Sequence, residues 1–258
     1  MPFALASDDD PVIRLTNGHW PPYMAEEHDY QGALSRLISE AFAEAGHRVE
    51  FGFFPWSRGY QLARENVWDG AAAWSCLERR AEDFYFSDPL LPISYVFFHR
   101  QGPEFDWQSL SDIAGLRVAI TQDYAYYQSL LPAIEAGTIS AVISPTDFQN
   151  FLMLAKDRVD LFPMDALAGS VMLEQDLDSA DVGDIRFHPR PLRTDYLHLL
   201  LSRRDPANRQ RVEDFNEGLR ALRESGRVRA IMSEMLGVQA AALLERMEPV
   251  TPSACSLD

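Results

Sequence analysis

Twice along this chain, short apolar runs alternate with longer runs of helical period, and that alternation admits few folds. Val12 to Leu15 reads as a strand. Leu34, Leu37, Ile38, Ala41, Phe42 and Ala45 place a helix over Gly32 to Ala45, with Gly46 as its C-cap. Val49, Phe51 and Phe53 alternate as a second strand, a helix follows from about Ser57 to Glu65, and Gly70 to Ala73 form a third strand of small residues. A second series opens with a strand at Arg117 to Thr121, a helix at Tyr124 to Ile134 and a strand at Ile139 to Ile143. Thr146 and Gln149 then make a capping-box pattern before a helix carrying Phe148, Phe151, Leu152 and Ala155. A strand at Val159 to Met164 leads to Asp165, which opens the next helix. Repeated strand, helix, strand order calls for parallel pairing with crossover helices, an α/β fold.

Between the two series, Ser94 to His99 is an aromatic-rich strand, and GPEFDWQSLSDIAG after it is a break where the chain can pass to another unit. Tyr196 to Leu201 reads as a returning strand. Two amphipathic helices follow, one on Val212, Phe215, Leu219 and Leu222, the other from Val228 to Leu236. Residues after Gly237 have no place in the pattern.

The formal charge of −16 over 258 residues argues against nucleic acid or an anionic membrane as partner, because like charge repels. No apolar run reaches the roughly 18 residues of a membrane span. Ala4-Leu5-Ala6 before Ser7 has the small-x-small form of a signal-peptidase site, which points to export; the alternative is an ordinary disordered start. Cys76 and Cys255 are too few for a disulfide framework and have no spaced partners for zinc, and whether they pair is left open.

The stretch with most chemistry is Asp69 to Pro89, DGAAAWSCLERRAEDFYFSDP. Side chains as small as those of Gly70 to Ala73 let a ligand or another backbone approach closely. Arg80, just beyond, can grip a carboxylate bidentately. The competing reading is a solvated turn, since Glu78, Arg79, Arg80, Glu82 and Asp83 mix both signs.

Several stretches together resemble the family 3 extracellular solute-binding proteins, periplasmic amino-acid receptors of ABC importers. They are HWPPY after the first strand, PW before the second helix, ERRAEDFYFSDP, SLSDIAGLRVAI, RVDLFPMD and the final SEMLG, spanning roughly Val12 to Gly237. The resemblance implies a type II periplasmic binding protein fold of two α/β lobes, joined by two hinge strands and holding a ligand in the cleft between them. It places lobe one at 1–98 plus 199–258 and lobe two at 99–198, with crossing strands near Val96 to Gly102 and Asp195 to Ser202. Binding would close the lobes by hinge motion and signal to a membrane partner.

By the same resemblance, Arg80 clamps the ligand α-carboxylate and Asp165 takes the α-ammonium. Asp165 is also in the favoured N-cap position of a helix. Trp20 stands where the family stacks an aromatic on the ligand side chain. Trp56 and Trp74 flank the same cleft, and Trp56 can equally be core. Ser75 stands near the contact to the carboxylate, and Tyr124 where lobe two commonly has Ser or Thr at a helix N-terminus, a place for an anion. The chain departs from the family at Gly32-Ala33-Leu34, Leu77 and Asp123, changes that fit a larger, more aromatic pocket.

The implied function is a periplasmic receptor, expected as a monomer, that delivers an amino acid or related carboxylate to an ABC permease, with no cofactor. Two alternatives share the fold: a sensory or regulatory binding module, and a cyclic-acid dehydratase with Asp165 as general acid. Against an enzyme, no HExxH, GxSxG or phosphate-cradling loop is present, and His19 is the only His expected near the cleft.

Overall fold

The computed structural model describes residues 12–102, 105–122, 124–175 and 185–237. The Ala4-Leu5-Ala6 motif, Asp123, Cys255 and the tail after Gly237 lie outside the described residues. Nine strands and seven α-helices are described: β1 (Val12–Asn17), α1 (Ala33–Glu44), β2 (Arg48–Phe53), α2 (Trp56–Arg64), β3 (Gly70–Ser75), β4 (Phe84–Phe86), β5 (Pro92–Arg100), β6 (Arg117–Thr121), α3 (Tyr127–Glu135), β7 (Ser140–Ser144), α4 (Asp147–Ala155), β8 (Leu161–Asp165), α5 (Ala166–Gln175), β9 (Ile185–Ser202), α6 (Ala207–Glu224) and α7 (Arg227–Leu236). The hydrogen-bonded strand order is β2-β1-β3-β9-β5-β8-β6-β7, with β4 also on β9.

The chain divides into two compact units. Unit one takes the chain up to Pro92 and again from Asp195, and unit two is Ile93–Thr194. The divisions therefore fall at the start of β5 and inside β9.

In unit one, β1 pairs in parallel with β2 on one side and β3 on the other. Every residue of β3 is buried, which its small side chains allow. A Cβ on Gly70 would strike the Leu200 carbonyl oxygen, so the close approach that this glycine permits is that of β9. The apolar stripe of α1 is fully buried at Leu34, Leu37, Ile38, Ala41 and Phe42. Each large side chain there is worth roughly 1.5–3 kcal/mol of burial. Phe42 meets Phe215 of α6 at 4.9 Å between centroids. The helix ends as the sequence suggests, with Gly46 at φ 76° and its N–H bonded to the Ala43 carbonyl.

Unit two repeats the local order, with β6 parallel to both β7 and β8. β8 then pairs antiparallel with β5, setting Tyr95 opposite Asp165. Thr146 caps α4 by accepting from the Gln149 N–H at 3.3 Å. Asp160 accepts from the backbone N–H of Arg117 at 2.8 Å and from its guanidinium at 2.7 and 3.0 Å, which ties the foot of β6 to the entry of β8. That ion pair holds the Asp160 carboxyl below its usual range, and makes the Asp of the RVD stretch a structural residue.

Three elements differ from the sequence reading, the first being β4, which was not read as a strand. Helix α3 begins at Tyr127, so Tyr124 lies before the helix instead of opening it. β9 is 18 residues long and starts at Ile185, well before the expected Tyr196. Its first half is partly exposed and carries Pro189 and Pro191, which removes the apolar signal a strand normally gives.

Candidate functional site

In a sheet ordered β2-β1-β3 the chain leaves β1 first to one side and then to the other, and ligands of open α/β sheets bind beyond the carboxyl ends of the strands at such a switch point. In unit one the candidates gather there. Trp20 follows β1, Trp56 follows β2, Trp74 and Ser75 end β3, and Arg80 is in the 3-10 turn Glu78–Arg80 just beyond. Unit two has its own switch point at β6 between β7 and β8. Tyr124 lies beyond β6 there, and Asp165 is the last residue of β8.

Local backbone geometry orients the end of β3. The register against β9 shifts between Ala71 and Trp74, and Ala73 takes φ 59°, a left-handed conformation uncommon for a residue with a side chain. Such a bulge re-aims the residues after it. Trp74 then pairs with His198 and Ser75 with Leu197. His198, rather than His19, is thus the histidine across the sheet from a candidate residue; His19 is exposed and lies 3.9 Å from Glu27.

Arg80 is only 4% exposed, while Glu78, Arg79 and Glu82 around it face water, which rules out a uniformly solvated turn. Its guanidinium donates to the Ser75 carbonyl at 2.7 Å and lies 4.6 Å from the Trp74 ring centroid and 5.8 Å from that of Tyr60. Burial raises the Tyr60 phenol pKa, with Arg80 opposing. The aromatic contacts continue outward: Trp74 to Trp56 at 5.4 Å and Trp56 to Trp20 at 6.5 Å, both edge-on, then Trp20 to Tyr23 at 4.7 Å. Gly18 lies under this line, because a Cβ there would come within 2.5 Å of the Trp56 indole. Tyr60, which the sequence reading missed, sits one helical turn after Trp56.

In unit two, Asp165 is 3% exposed. Its Oδ1 accepts from the N–H groups of Leu167 at 3.1 Å and Ala168 at 2.9 Å, and its Oδ2 from Ser94 N–H at 3.2 Å. Those first two bonds are N-cap bonds, so the capping alternative for Asp165 is realised. Tyr124 donates its hydroxyl to Asp147 Oδ2 at 2.6 Å, and Thr121 donates to Asp147 Oδ1 at 2.5 Å. Asn150 donates to Thr121 Oγ1 at 2.8 Å. Burial pushes the Asp147 carboxyl pKa up, although both hydroxyl bonds oppose it. Nothing in its sequence surroundings marked Asp147 as more than a first-turn helix residue.

Among the described residues, no group of His, Cys, Asp or Glu is placed to hold a metal ion, and no helix is long and apolar enough to cross a membrane.

The chain is similar in fold to several solved structures. A histidine kinase sensor domain with similarity to periplasmic binding proteins matches with TM-score 0.75 at 22% identity, covering 90% of this chain and 98% of that one. An ancestral arginine-binding protein bound to arginine matches with TM-score 0.75 at 17% identity, covering 88% and 98%. The GluR0 ligand-binding core from Nostoc punctiforme, in complex with L-glutamate, matches with TM-score 0.72 at 18% identity, covering 87% and 99%. No curated protein matches significantly in sequence. The family model of the bacterial extracellular solute-binding proteins, family 3, matches residues 12–238, most of the chain, and the protein therefore belongs to that family.

Proposed function

We propose that this protein captures an amino acid or a closely related small carboxylate outside the cytoplasm and presents it to an ABC permease. Arg80 of unit one takes the carboxylate and Asp165 of unit two the ammonium, the two units closing on the ligand by hinge motion at β5 and β9. Trp20, Trp56, Trp74 and Ser75 shape the unit-one side of the site, and Tyr124 the unit-two side. The observation that carries this reading is the buried Arg80 guanidinium on the face of Trp74, at the switch point of a solute-binding fold. Burying a guanidinium is costly, and a bound carboxylate offsets that cost with charge-assisted bonds.

The experiment is a thermal-shift screen of amino acids and small carboxylates, followed by calorimetry on the best ligand. Arg80→Ala should weaken binding by about thirtyfold or more, since truncating one partner of a buried charge pair costs on the order of 2–5 kcal/mol. A folded Arg80→Ala protein that binds as tightly as the parent would refute the site. Export is tested by fractionating the native host, where cytoplasmic retention would overturn it.

A second reading is sensing, in which the same closure signals to a partner other than a transporter. A histidine kinase sensor domain has this fold. Permease and ATPase genes beside this one favour import, and their absence favours sensing.

A further inference from the structure

We propose that the open edge of β7 pairs with the same edge of a second copy of this chain, as an antiparallel two-fold dimer centred on Val142. The inference concerns unit two alone and does not depend on the ligand reading above.

β7 is the last strand in the sheet order, and among the described residues no strand pairs with its far side. Ser140 donates its backbone N–H to the Leu116 carbonyl, and the Ser144 carbonyl accepts from Gln122, both on the side of β6. Backbone groups alternate in direction along a strand. Those of Ser140, Val142 and Ser144 therefore face β6, and those of Ala141 and Ile143 face the open edge.

Natural edges are normally protected by charge, proline or a bulge. β2, the strand at the other end of the order, exposes Arg48 and Glu50. β7 instead exposes Val142 at 36% and Ile143 at 59%, and Phe148, in the first turn of α4, is 43% exposed. These are three of the seven exposed large apolar side chains among the described residues, so apolar exposure is concentrated at this edge.

Charge favours a second copy as the occupant. The chain carries −16, and two copies repel over most of their surface. From Thr138 to Phe148 the only charged residue is Asp147, which is buried, takes bonds from Thr121 and Tyr124, and is shifted toward its neutral form by burial. The edge offers a charged partner nothing to recognise, whereas a second copy can approach here without opposition.

The strand also matches itself. In an antiparallel ladder, opposite residues whose backbone groups both face the seam exchange N–H to carbonyl bonds. With Val142 opposite its own counterpart, Ala141 falls opposite Ile143 of the second copy and Ile143 opposite Ala141, and every edge-facing group of β7 is bonded. The smallest side chain meets the largest on one face, and valine meets valine on the other. Pro145, next in line to face the edge, has no N–H to give and ends the ladder. Sliding the pair toward Pro145 loses that bond within the ladder. Sliding it the other way sets Ile143 against Ile139, which is buried and precedes the strand.

The test is sedimentation velocity of the purified protein from about 5 to 500 µM. The parent should pass from monomer to dimer over that range, so that the expected monomer is the dilute form. Ile143→Lys, which puts a charge on the edge at an exposed position, should stay monomeric throughout with an unchanged melting temperature. Val142→Cys, oxidised with oxidised glutathione, reads the register. At the centre of the two-fold its Cα lies about 4.5 Å from its counterpart, so a covalent dimer should form that the parent does not give. Ile143→Cys meets its counterpart only on the diagonal, at about 7–8 Å, and should cross-link at least roughly tenfold more slowly. A parent that is monomeric at every concentration overturns the proposal. So does a dimer that survives Ile143→Lys, or equal cross-linking at the two positions. Should Ile143→Lys fail to fold, the two cysteine variants decide. None of these measurements reads ligand binding, so failure here leaves the receptor reading intact.

Discussion

Asp165 caps α5, and under the proposed function it also takes the ligand's ammonium. Its Oδ1 accepts two N-cap bonds of α5 and its Oδ2 a third backbone N–H, so removing the carboxylate threatens the helix as well as a ligand. Asp165→Ala should cost about 0.5–2 kcal/mol of stability through the lost cap, read as a lower melting temperature. Asp165→Asn keeps an oxygen for the two cap bonds but turns its NH2 toward the Ser94 N–H, so it too should melt below the parent. It should still weaken binding of α-amino acids markedly while changing little for carboxylates that carry no ammonium. Calorimetry with an amino acid and its deaminated analogue checks this, and equal losses for the two would remove Asp165 from the ligand's ammonium. Arg80 differs in that its guanidinium donates to the Ser75 carbonyl and lies over the Trp74 ring.

Helices and strands that bury one face were legible because period and burial coincide, as in α1, where five of the six apolar positions named from sequence are fully buried. The start of β9 was not legible, since Arg186, Pro189, Arg190, Pro191 and Arg193 carry no strand signal on a half-exposed ribbon. The bulge at Ala73 was hidden too: a left-handed Ala in a run of Ala leaves no mark in composition. The site followed the same division. Arg80, the tryptophans and Asp165 were named from the resemblance to the family's motifs, whereas the neighbours Tyr60 of Arg80 and Asp147 of Tyr124 are seen only in the folded chain. One consequence is testable at β3. Gly70 was read as leaving room for a ligand or a backbone, and the structure fills that room with the Leu200 carbonyl. Gly70→Ala should therefore destabilise unit one by roughly 1–3 kcal/mol through overpacking, lowering the melting temperature by several degrees. An unchanged melting temperature would mean that β3 and β9 are not pressed together at this point.

Acidity of the whole chain and burial of its histidines together set a pH response. His198 and His99 both have pKa values lowered by burial, only partly offset by hydrogen bonds to the carbonyls of Ser87 and Arg100. His198 donates from Nδ1 to Ser87 at 2.8 Å, with the carboxylates of Asp195 and Asp88 as the charged groups that favour its protonation. A histidine whose folded pKa is depressed takes up its proton first in the unfolded chain, near pH 6.5. The stability it contributes is therefore complete above that value and lost as pH falls through it. Asp147 acts in the opposite sense: its pKa is raised by burial, so the folded state holds the proton more tightly and acidification favours folding through this group. Glu40, Asp160 and Asp214 are held low despite partial burial, by partners that include Arg227, Arg117 and His47 respectively. Their loss comes later, below the usual carboxylate range. The melting temperature should thus decline between about pH 7.5 and pH 5.5 and fall more steeply below about pH 4.5. His198→Gln should flatten the first decline, and Asp147→Asn should remove the stabilising proton uptake that acidification otherwise brings. Scanning calorimetry of the three proteins across that range reads both slopes. A parent profile that is level from pH 7.5 to 5.5 and unaltered in His198→Gln would show that the ring beside Trp74 is not held neutral by burial.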